Sequence, residues 1–431
     1  MRAKIISLMS VLIAVLCTNT QARIVYVDDD GPADFSNIQA AIDDANDGDT
    51  IIVKPGTYTG DGNRDIDFKG KAIIVKSQNG PNTSIIDCQA SKDEYHRGFY
   101  FNNNEDANSI LQGFTIKNGY TSGGGGINCY RCSPKIMDCI ITKNTAYEGG
   151  GISVSSFSNS TVINCIISDN YAYISGGGVY SSGYNMSNTI FKNCIISGNN
   201  AGDYGGGIYT NGNSTFSNCT IWGNISGRGG GGVTTSGGDS LIVNFSNCII
   251  WKNINRNNRG NQIYWKSGGL SGVVYINARY CSIQNGPDDI YISVPECMTG
   301  NWISEEPNFA NPGHWETNDT PYRYNDDYWL EGDYHLKSQA GRYDPNTQTW
   351  IQDVVTSPCI DIGDPNSPIE LEPFPNGGYI NMGAYGGTNE ASKSYFGKPV
   401  CETIVAGDIN GDCRVDILDM EIMLLHWLEE H

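Results

Sequence analysis

Basic residues are scarce in this sequence. Among 431 residues there are 27 lysines and arginines against 47 aspartates and glutamates, so the formal net charge is −20. Nucleic acids and anionic lipid surfaces are bound through clustered basic side chains. The charge balance therefore argues against both as partners.

Long apolar segments are also scarce. The N-terminus carries Arg2 and Lys4, then the apolar run 5–16, then the small-residue site 20–22. This pattern predicts a signal peptide over residues 1–22. A retained membrane anchor is the alternative, but the run is short for a span, and no later segment has about 18 uncharged apolar residues. We therefore expect a secreted or cell-surface protein without membrane insertion after signal removal.

The composition does not favour long helices. Glycine accounts for 53 residues, well above its usual share of about 7%. Asparagine and serine are abundant as well, and all three residue types favour turns. The sequence predicts many short elements joined by turns.

A repeat of 25 to 33 residues runs through the middle of the chain. It is marked by six cysteines: Cys139, Cys165, Cys194, Cys219, Cys248 and Cys281. Isoleucine stands two residues after each of them. Asparagine stands five residues after the first five: Asn144, Asn170, Asn199, Asn224 and Asn253. Glycine triplets recur between the cysteines, at 124–126, 149–151, 176–178, 205–207 and 230–232.

This frame indicates short strands in stacked coils. The residue between cysteine and isoleucine varies, so we expect it to face outward while its neighbours face inward. A period of 20–50 residues made of strands and turns means a solenoid or a propeller, and the variable step favours a solenoid. Stacked asparagines would satisfy one another's amides. The triplets are not phosphate loops, because no Lys-Ser/Thr pair follows them.

With these residues the chain resembles the right-handed parallel β-helix superfamily of pectate and pectin lyases. The resemblance implies an all-β solenoid over residues 23–303. Residues 24–58 resemble the N-terminal cap of such proteins. Phe35, Ile38, Ala41, Ile42 and Ala45 are spaced as one face of a short helix, and we expect this helix to cover the first coil.

The repeat fades after about residue 303. The segments SPCIDIGDP (357–365) and YINMGAYGGT (379–388) resemble the choice-of-anchor Q region found at the ends of exported β-helix proteins. We interpret residues 304–395 as late coils plus a cap.

The cysteines of the repeat are expected to be unpaired thiols. Exported chains usually form disulfides, but parallel stacking aims these side chains alike and disfavours the disulfide geometry. Cys129 and Cys132 resemble a CxxC pair, yet no second pair follows at zinc spacing, so a structural role is favoured. Cys401 and Cys413 flank one loop and are the best disulfide candidates.

One motif carries specific chemistry. Calcium-loop positions 1, 3, 5, 9 and 12 are filled by Asp408, Asn410, Asp412, Asp416 and Asp419, with the Arg414 carbonyl at position 7. Hard oxygen ligands at this spacing predict an EF-hand-like calcium site; a solvated acidic turn is the alternative. Position 6 is Cys413 where glycine is usual.

Aspartate at position 12, followed by the apolar helix expected over 417–428, resembles one type I dockerin repeat. The resemblance implies that residues 396–431 form a calcium-binding tail. Its helix would contact a cohesin-like or cell-surface protein, the solenoid or another copy. A full dockerin has two repeats, and this chain has one.

No catalytic constellation stands out in the repeats. The densest mixed cluster lies in the loop that contains Asp87, Asp93, Glu94, His96 and Arg97. The last four are candidate catalytic residues that could supply an acid and a base, although such a run is more often a solvated loop. Loop tyrosines suit stacking on sugars or packing between coils: Tyr147, Tyr171, Tyr173, Tyr184 and Tyr204.

Two classes of function follow. In the first, the protein binds extracellular polysaccharide or cleaves it, and as an enzyme it would be a lyase or a glycoside hydrolase. In the second, it is a non-catalytic adhesion protein that uses the solenoid as a stiff spacer.

Overall fold

A computed structural model describes residues 22–237, 241–267, 274–292, 298–316, 327–369, 371–397, 407–409 and 414–427. Over these residues the chain forms an all-β, right-handed parallel solenoid of about nine turns, with two short α-helices. The predicted all-β, right-handed parallel solenoid is confirmed, while the helical cap and the EF-hand-like tail stay predictions. Residues 1–21 of the expected signal peptide, and both Cys401 and Cys413, lie outside the described residues.

Each full turn contributes strands to four faces, numbered here in the order in which the chain reaches them. Face 1 holds Ile24–Val27, Thr50–Val53, Ile74–Ser77, Ile110–Gln112, Lys135–Met137, Thr161–Ile163, Leu241–Ser246, Met298–Ile303 and parts of Val179–Lys192, Ile208–Ser217 and Val274–Ile283. Face 2 holds Gly56–Tyr58, Ser84–Asp87, Thr115–Lys117, Ile140–Thr142, Ile166–Ser168, Ile195–Ser197, Thr220–Trp222, Ile249–Trp251 and the end of Val274–Ile283.

The other two faces complete the turn. Face 3 holds Tyr120–Gly123, Thr145–Glu148, Tyr171–Ser175, Asn200–Ala201, Ile225–Ser226 and Ile254–Asn255. Face 4 holds Ile66–Asp67, Phe99–Phe101, Ile127–Tyr130, Ile152–Ser155, Val233–Gly237, Ile263–Ser267, Ile290–Tyr291 and the first parts of Val179–Lys192 and Ile208–Ser217. A 3₁₀ turn covers Gly286–Asp289.

The corner between faces 1 and 2 explains why a short polar residue precedes each of the first five repeat cysteines. This residue has a left-handed backbone in successive coils, with φ between 50° and 54°. Aspartate and asparagine adopt that conformation more readily than other side-chain-bearing residues. We call these residues the corner row: Asp138, Asn164, Asn193, Asn218 and Asn247.

The interior matches the predicted frame. The six repeat cysteines and the isoleucines that follow them are buried in one continuous core. Phe191, Phe216 and Phe245 stack there with ring centroids 5.0 Å apart. The cysteine thiols are unpaired, as predicted.

The asparagine ladder is also confirmed. Asn199 is fully buried, and its Oδ1 accepts from the backbone N–H and the Nδ2 of Asn170 at 3.1 and 3.0 Å. Its Nδ2 donates to the Ile167 carbonyl and to Asn224 Oδ1 at 2.8 and 3.0 Å. Each asparagine thus joins its own coil to both neighbours.

Glycine triplets form the corner between faces 3 and 4. A Cβ on Gly206 would lie 2.2 Å from the carbonyl oxygen of Ile225 and 2.6 Å from that of Gly231, both in the next coil. Only glycine leaves room for the backbones to stack here.

The predicted N-terminal helix is present as Ile38–Asp44. Asn37 caps it by accepting the N–H of Ala40 at 2.8 Å, and Ile38, Ala41 and Ile42 are buried in the solenoid core. Its role as a cap over the first coil stays a prediction.

Residues 304–395 differ from the expected late coils. Their described strands pair only in antiparallel hairpins: Phe309–Asn311 with Asp333–Leu336, His314–Glu316 with Tyr328–Leu330, and Arg342–Asp344 with Thr349–Ile351. The first two pairs lie on the outside of face 2, where Trp222, Trp251 and Ile249 are apolar and buried beneath them. We call the described residues of 304–395 the cover.

The corner row fixes the cover in place. Asn193 Nδ2 donates to the carbonyls of Ala384 and Gly386 at 2.8 Å each. Asn218 Nδ2 donates to the Asn381 carbonyl at 3.0 Å. The residues between repeat cysteine and isoleucine do point outward as predicted, but from Ile195 onward the cover buries them.

A buried carboxyl inside the cover makes its stability depend on pH. Glu372 is 7% exposed. Its Oε1 accepts the backbone N–H of Asn381 and of Gly387 at 2.8 Å each, and its Oε2 is without a hydrogen-bond partner. Burial raises the pKa of Glu372 to about 7. Between pH 4.5 and 7 the folded protein therefore holds a proton that the unfolded chain has released.

We expect the cover to lose about 3 kcal/mol of stability between pH 4.5 and pH 7.5, because the raised pKa favours folding only while the proton is bound. Denaturant unfolding at several pH values, followed by tryptophan fluorescence, measures this loss. Glu372→Gln should flatten the profile, while Glu306→Gln, at an exposed position, should not. An unchanged profile in Glu372→Gln would show that another group is responsible.

Candidate functional site

Five tyrosines gather on the outside of face 3. Tyr120 and Tyr171 occupy the same row of the ladder, since both align with Thr145. Tyr147 and Tyr173 stand in the next outward row of adjacent coils, and Tyr95 reaches over from the preceding loop. We call Tyr95, Tyr120, Tyr147, Tyr171 and Tyr173 the tyrosine platform.

The platform is continuous and open. Ring centroids are 5.3 Å apart for Tyr95–Tyr120 and for Tyr147–Tyr173, and 5.0 Å apart for Tyr171–Tyr173. The Tyr120 hydroxyl donates to that of Tyr173 at 3.0 Å. Tyr95, Tyr147 and Tyr173 keep 48%, 43% and 38% of their surface exposed. The result is an apolar surface with hydroxyls that extends over several coils.

A charged cluster borders the platform at its N-terminal end. His96 lies between two carboxylates, with Nδ1 2.5 Å from Asp65 Oδ2 and Nε2 3.1 Å from Glu94 Oε1. Arg64 contacts Glu94 at 3.3 Å. The backbone of His96 pairs with that of Tyr120, which holds the cluster against the platform.

The structure separates the four predicted catalytic residues. Glu94 and His96 meet in the cluster, together with Asp65 and Arg64, which the sequence did not single out. Arg97 instead donates from Nη1 to the Gly123 carbonyl at 2.9 Å and covers the ring of Tyr100. Asp93 is exposed, and its backbone N–H donates to Ser91 Oγ at 3.3 Å.

The electrostatics of the cluster suit binding better than acid catalysis. The hydrogen bond from His96, with the charge of Arg64, lowers the pKa of Glu94. Burial lowers the pKa of Arg97. A carboxyl held in its ionised form is a poor proton donor. The catalytic role of Asp93, Glu94, His96 and Arg97 stays a prediction.

A different carboxyl on the corner beside the platform is better suited to give a proton. Asp169 follows the strand Ile166–Ser168 and precedes Tyr171 by two residues, with φ 55°. Burial raises its pKa to about 6, while Lys143 in the preceding coil lowers it and Glu331 of the cover raises it. Glu331 accepts from Ser197 Oγ at 3.1 and 2.9 Å, and Ser197 aligns with Ser168.

Only part of the platform is predicted from the sequence. Tyr147, Tyr171 and Tyr173 were among the predicted sugar-stacking residues, while Tyr95 and Tyr120 were missed. Tyr120 stands four residues before Gly124, but the same position before the later triplets holds Thr145, Ala172, Ala201 and Ser226, so spacing does not distinguish it. Tyr204 belongs to a separate stack with Tyr264 and Tyr291. The side chain of Tyr184 lies outside the described residues.

The predicted calcium loop is described in part. Asp408 and Asp419 are buried. Asp419 accepts the N–H of Ile409 at 2.6 Å and of Asp416 at 2.8 Å, so the two ends of the loop lie together. A donor set of hard carboxylate oxygens from both ends fits a hard cation. Asn410 and Asp412 lie outside the described residues, and the calcium site stays a prediction.

The helix after this loop, Ile417–Trp427, begins where it was expected. Its described apolar side chains are mostly exposed, with Ile417 at 71% and Leu424 at 54%. Among the described helices none is long and apolar enough to cross a membrane.

One family model agrees with the solenoid architecture. Residues 126–293 match the family model described as "Right handed beta helix region", and residues 317–363 match "Disaggregatase related". Solved structures with similarity include pectate lyase Pel9A, at 15% identity and a TM-score of 0.40, covering 84% of this chain and 96% of that one. Another is pectin methylesterase from carrot, at 12% identity and a TM-score of 0.39, covering 64% and 88%. No curated protein matches the sequence.

Proposed function

We propose that this chain is an exported β-solenoid protein that binds extracellular polysaccharide on the tyrosine platform. The single observation that carries the proposal is the gathering of five tyrosines, three of them at least 38% exposed, on one outward face. Tyrosine offers an apolar ring and a polar hydroxyl together. Sugar rings present the complementary surface, with apolar C–H faces and hydroxyl edges.

The extent and charge of the surface support the same class of ligand. Tyr120 and Tyr171 lie two coil steps apart, which is about 10 Å along the axis, so the platform accommodates an extended chain. Arg64 and Glu94 at its end offer charged hydrogen-bonding groups. The net charge of −20 disfavours polyanionic chains.

The platform is tested by affinity electrophoresis through gels that contain soluble polysaccharides, both neutral glycans and polygalacturonate. We expect Tyr147→Ala/Tyr173→Ala to weaken binding by about 30-fold, since each aromatic contact contributes about 1 kcal/mol. The matched control is Tyr26→Ala/Tyr275→Ala, at two equally exposed tyrosines on face 1, which should bind as wild type does. Equal binding by both double variants would refute the platform.

The C-terminal tail, residues 396–431, supplies the attachment part of the proposed function. Calcium, held by Asp408, Asp416 and Asp419 with the Arg414 carbonyl, would order the loop and present the exposed helix to a cohesin-like or cell-surface partner. Asn410 and Asp412 complete the ligand set by sequence. This attachment is supported by the donor spacing and by the exposed apolar side chains of the helix.

A second candidate function is hydrolytic cleavage of the bound chain. It is favoured by Asp169, whose carboxyl keeps its proton to about pH 6 at the edge of the platform. In this reaction Asp169 gives its proton to the glycosidic oxygen as the C–O bond breaks. Water adds to the anomeric carbon and loses its proton to Glu331. The non-catalytic adhesion function is the alternative in which no bond is broken.

A further inference from the structure

A cleft of about 280 Å³ opens where the cover ends on the solenoid. Its walls come from two separate parts of the chain. The solenoid contributes Asp138, Asn164 and Ile166, and the cover contributes Tyr385, Asn389 and Glu390. The cleft is distinct from the tyrosine platform, because it lies at the corner between faces 1 and 2.

The polar residues at the base of this cleft belong to the corner row. Asn193, Asn218 and Asn247 occupy their left-handed corners and bond the cover. The cover stops short of the two preceding positions, Asp138 and Asn164, whose side chains therefore line the cleft. Asp138 accepts from Gln112 Nε2 at 2.8 Å and from Asn164 Nδ2 at 3.2 Å. These bonds fix its direction and leave lone pairs for a ligand.

The opposite wall is held by a buried histidine. His335 is fully buried, with Nδ1 2.6 Å from Asp333 and Nε2 3.4 Å from Glu390 Oε2. The contact between His335 and Glu390 lacks hydrogen-bond geometry. The buried Nε2 of His335 therefore faces the Glu390 carboxylate without a hydrogen-bond partner. Burial lowers the pKa of His335, but Asp333 and Glu390 outweigh it and raise the pKa overall. His335 also stacks on Tyr385 with centroids 3.5 Å apart, which fixes that ring.

We propose that this cleft binds the hydroxyl groups of one neutral sugar residue. The inference rests on the proposed function and names the class of sugar within the polysaccharide. Ile166 and the edge of Tyr385 give an apolar contact for the ring. The carboxylates of Asp138 and Glu390 accept sugar hydroxyls, and the amides of Asn164 and Asn389 donate to them or accept from them.

The same groups reject acidic sugars. No lysine or arginine is among the described residues that line the cleft. A uronate carboxylate would therefore face Asp138 and Glu390 without a cationic partner, and two close carboxylates repel a third. The cleft thus selects a neutral glycan over a polyuronate such as pectate.

The test uses the whole protein and matched monosaccharides: the methyl glycosides of glucose, galactose, mannose and xylose, methyl galactosiduronate, and methyl galactosaminide. Saturation-transfer NMR titrations measure the affinity for each. We expect at least one neutral glycoside to bind saturably in the millimolar range, and methyl galactosiduronate to bind at least about tenfold more weakly than methyl galactoside.

Two variants assign the signal to the cleft. Asp138→Asn/Glu390→Gln should weaken the neutral sugar about tenfold, through loss of charged acceptors. Asparagine already fills this corner in the following coils, so the fold should persist, and an unchanged melting temperature checks this. Tyr26→Ala/Tyr275→Ala, at exposed tyrosines on face 1, should leave the monosaccharide titration unchanged.

Four results would overturn the assignment: no saturable neutral glycoside, equal binding of the uronate, tighter binding of the aminosugar, or an unchanged titration in Asp138→Asn/Glu390→Gln. The outcome is separable from that of the proposed function. Loss of polysaccharide binding in Tyr147→Ala/Tyr173→Ala upholds the platform whatever the cleft does.

Discussion

Replacing Asn199 with alanine is expected to lower the free energy of unfolding by about 4 kcal/mol. The side chain of Asn199 makes four hydrogen bonds in a fully buried position, joining Asn170 below to Asn224 above. Alanine would leave the backbone N–H of Asn170 and the carbonyl of Ile167 buried without these partners. Each buried group left unsatisfied costs about 1–3 kcal/mol.

Denaturant midpoints measured by circular dichroism check this effect. The matched control is Asn79→Ala, at an exposed position, which should change the stability by less than about 0.5 kcal/mol. Similar midpoints for the two variants would contradict a supporting role for the ladder. Because a solenoid can unfold in parts, hydrogen exchange of the coils next to Asn199 is the second measurement.

Under the second candidate function, hydrolysis of the bound polysaccharide, replacing Asp169 with asparagine is expected to reduce cleavage by about 1,000-fold, since an amide cannot give a proton to the leaving oxygen. Wild-type cleavage should decline as the pH rises above about 6, because the pKa of Asp169 is raised to about 6 and the reaction needs its protonated form. New reducing ends measure the rate.

Binding of Asp169→Asn to the polysaccharide should match that of wild type, which separates chemistry from affinity. Asp93→Asn is the comparison variant, because Asp93 belongs to the charged loop that the sequence favoured. If Asp93→Asn lost cleavage and Asp169→Asn kept it, the catalytic centre would lie in that loop. A product that absorbs in the ultraviolet, from an unsaturated sugar, would indicate a lyase and contradict hydrolysis.

The repeating part of the fold could be predicted because its physical causes recur in the sequence. Three features depend on neighbours one coil away: the inward cysteine and isoleucine, the asparagine ladder and the glycine corner. Each of them therefore recurs from coil to coil in the sequence. The structure places all three as expected. The corner row also recurs, as aspartate or asparagine before each of the first five repeat cysteines.

The cover could not be predicted from the same pattern. Its residues contact face 2 across long separations, such as Asn193 with Ala384 and Trp222 with Phe309. Each of these contacts occurs once, so they produce no periodic pattern in the sequence. One signal was present: outward positions change from Thr142 and Ser168 to Trp222 and Trp251 along one row. Large apolar residues on an outward row indicate that another segment lies over them.

The candidate site is even harder to predict from the sequence, because its residues come from different coils. Tyr95 and Tyr173 are 78 positions apart in the sequence, yet both belong to the platform through Tyr120. His96 was identified from its charged neighbours, but its partner Asp65 lies 31 residues earlier. Register between coils decides which side chains meet, and loops of variable length conceal that register in the sequence.

The most direct test of the account is a crystal structure with an oligosaccharide cut from the polysaccharide that binds most tightly. We expect a sugar ring against Tyr147 or Tyr173 and a chain that extends across face 3 towards Asp169. An oligosaccharide bound to another face, with the tyrosine platform left bare, would contradict it.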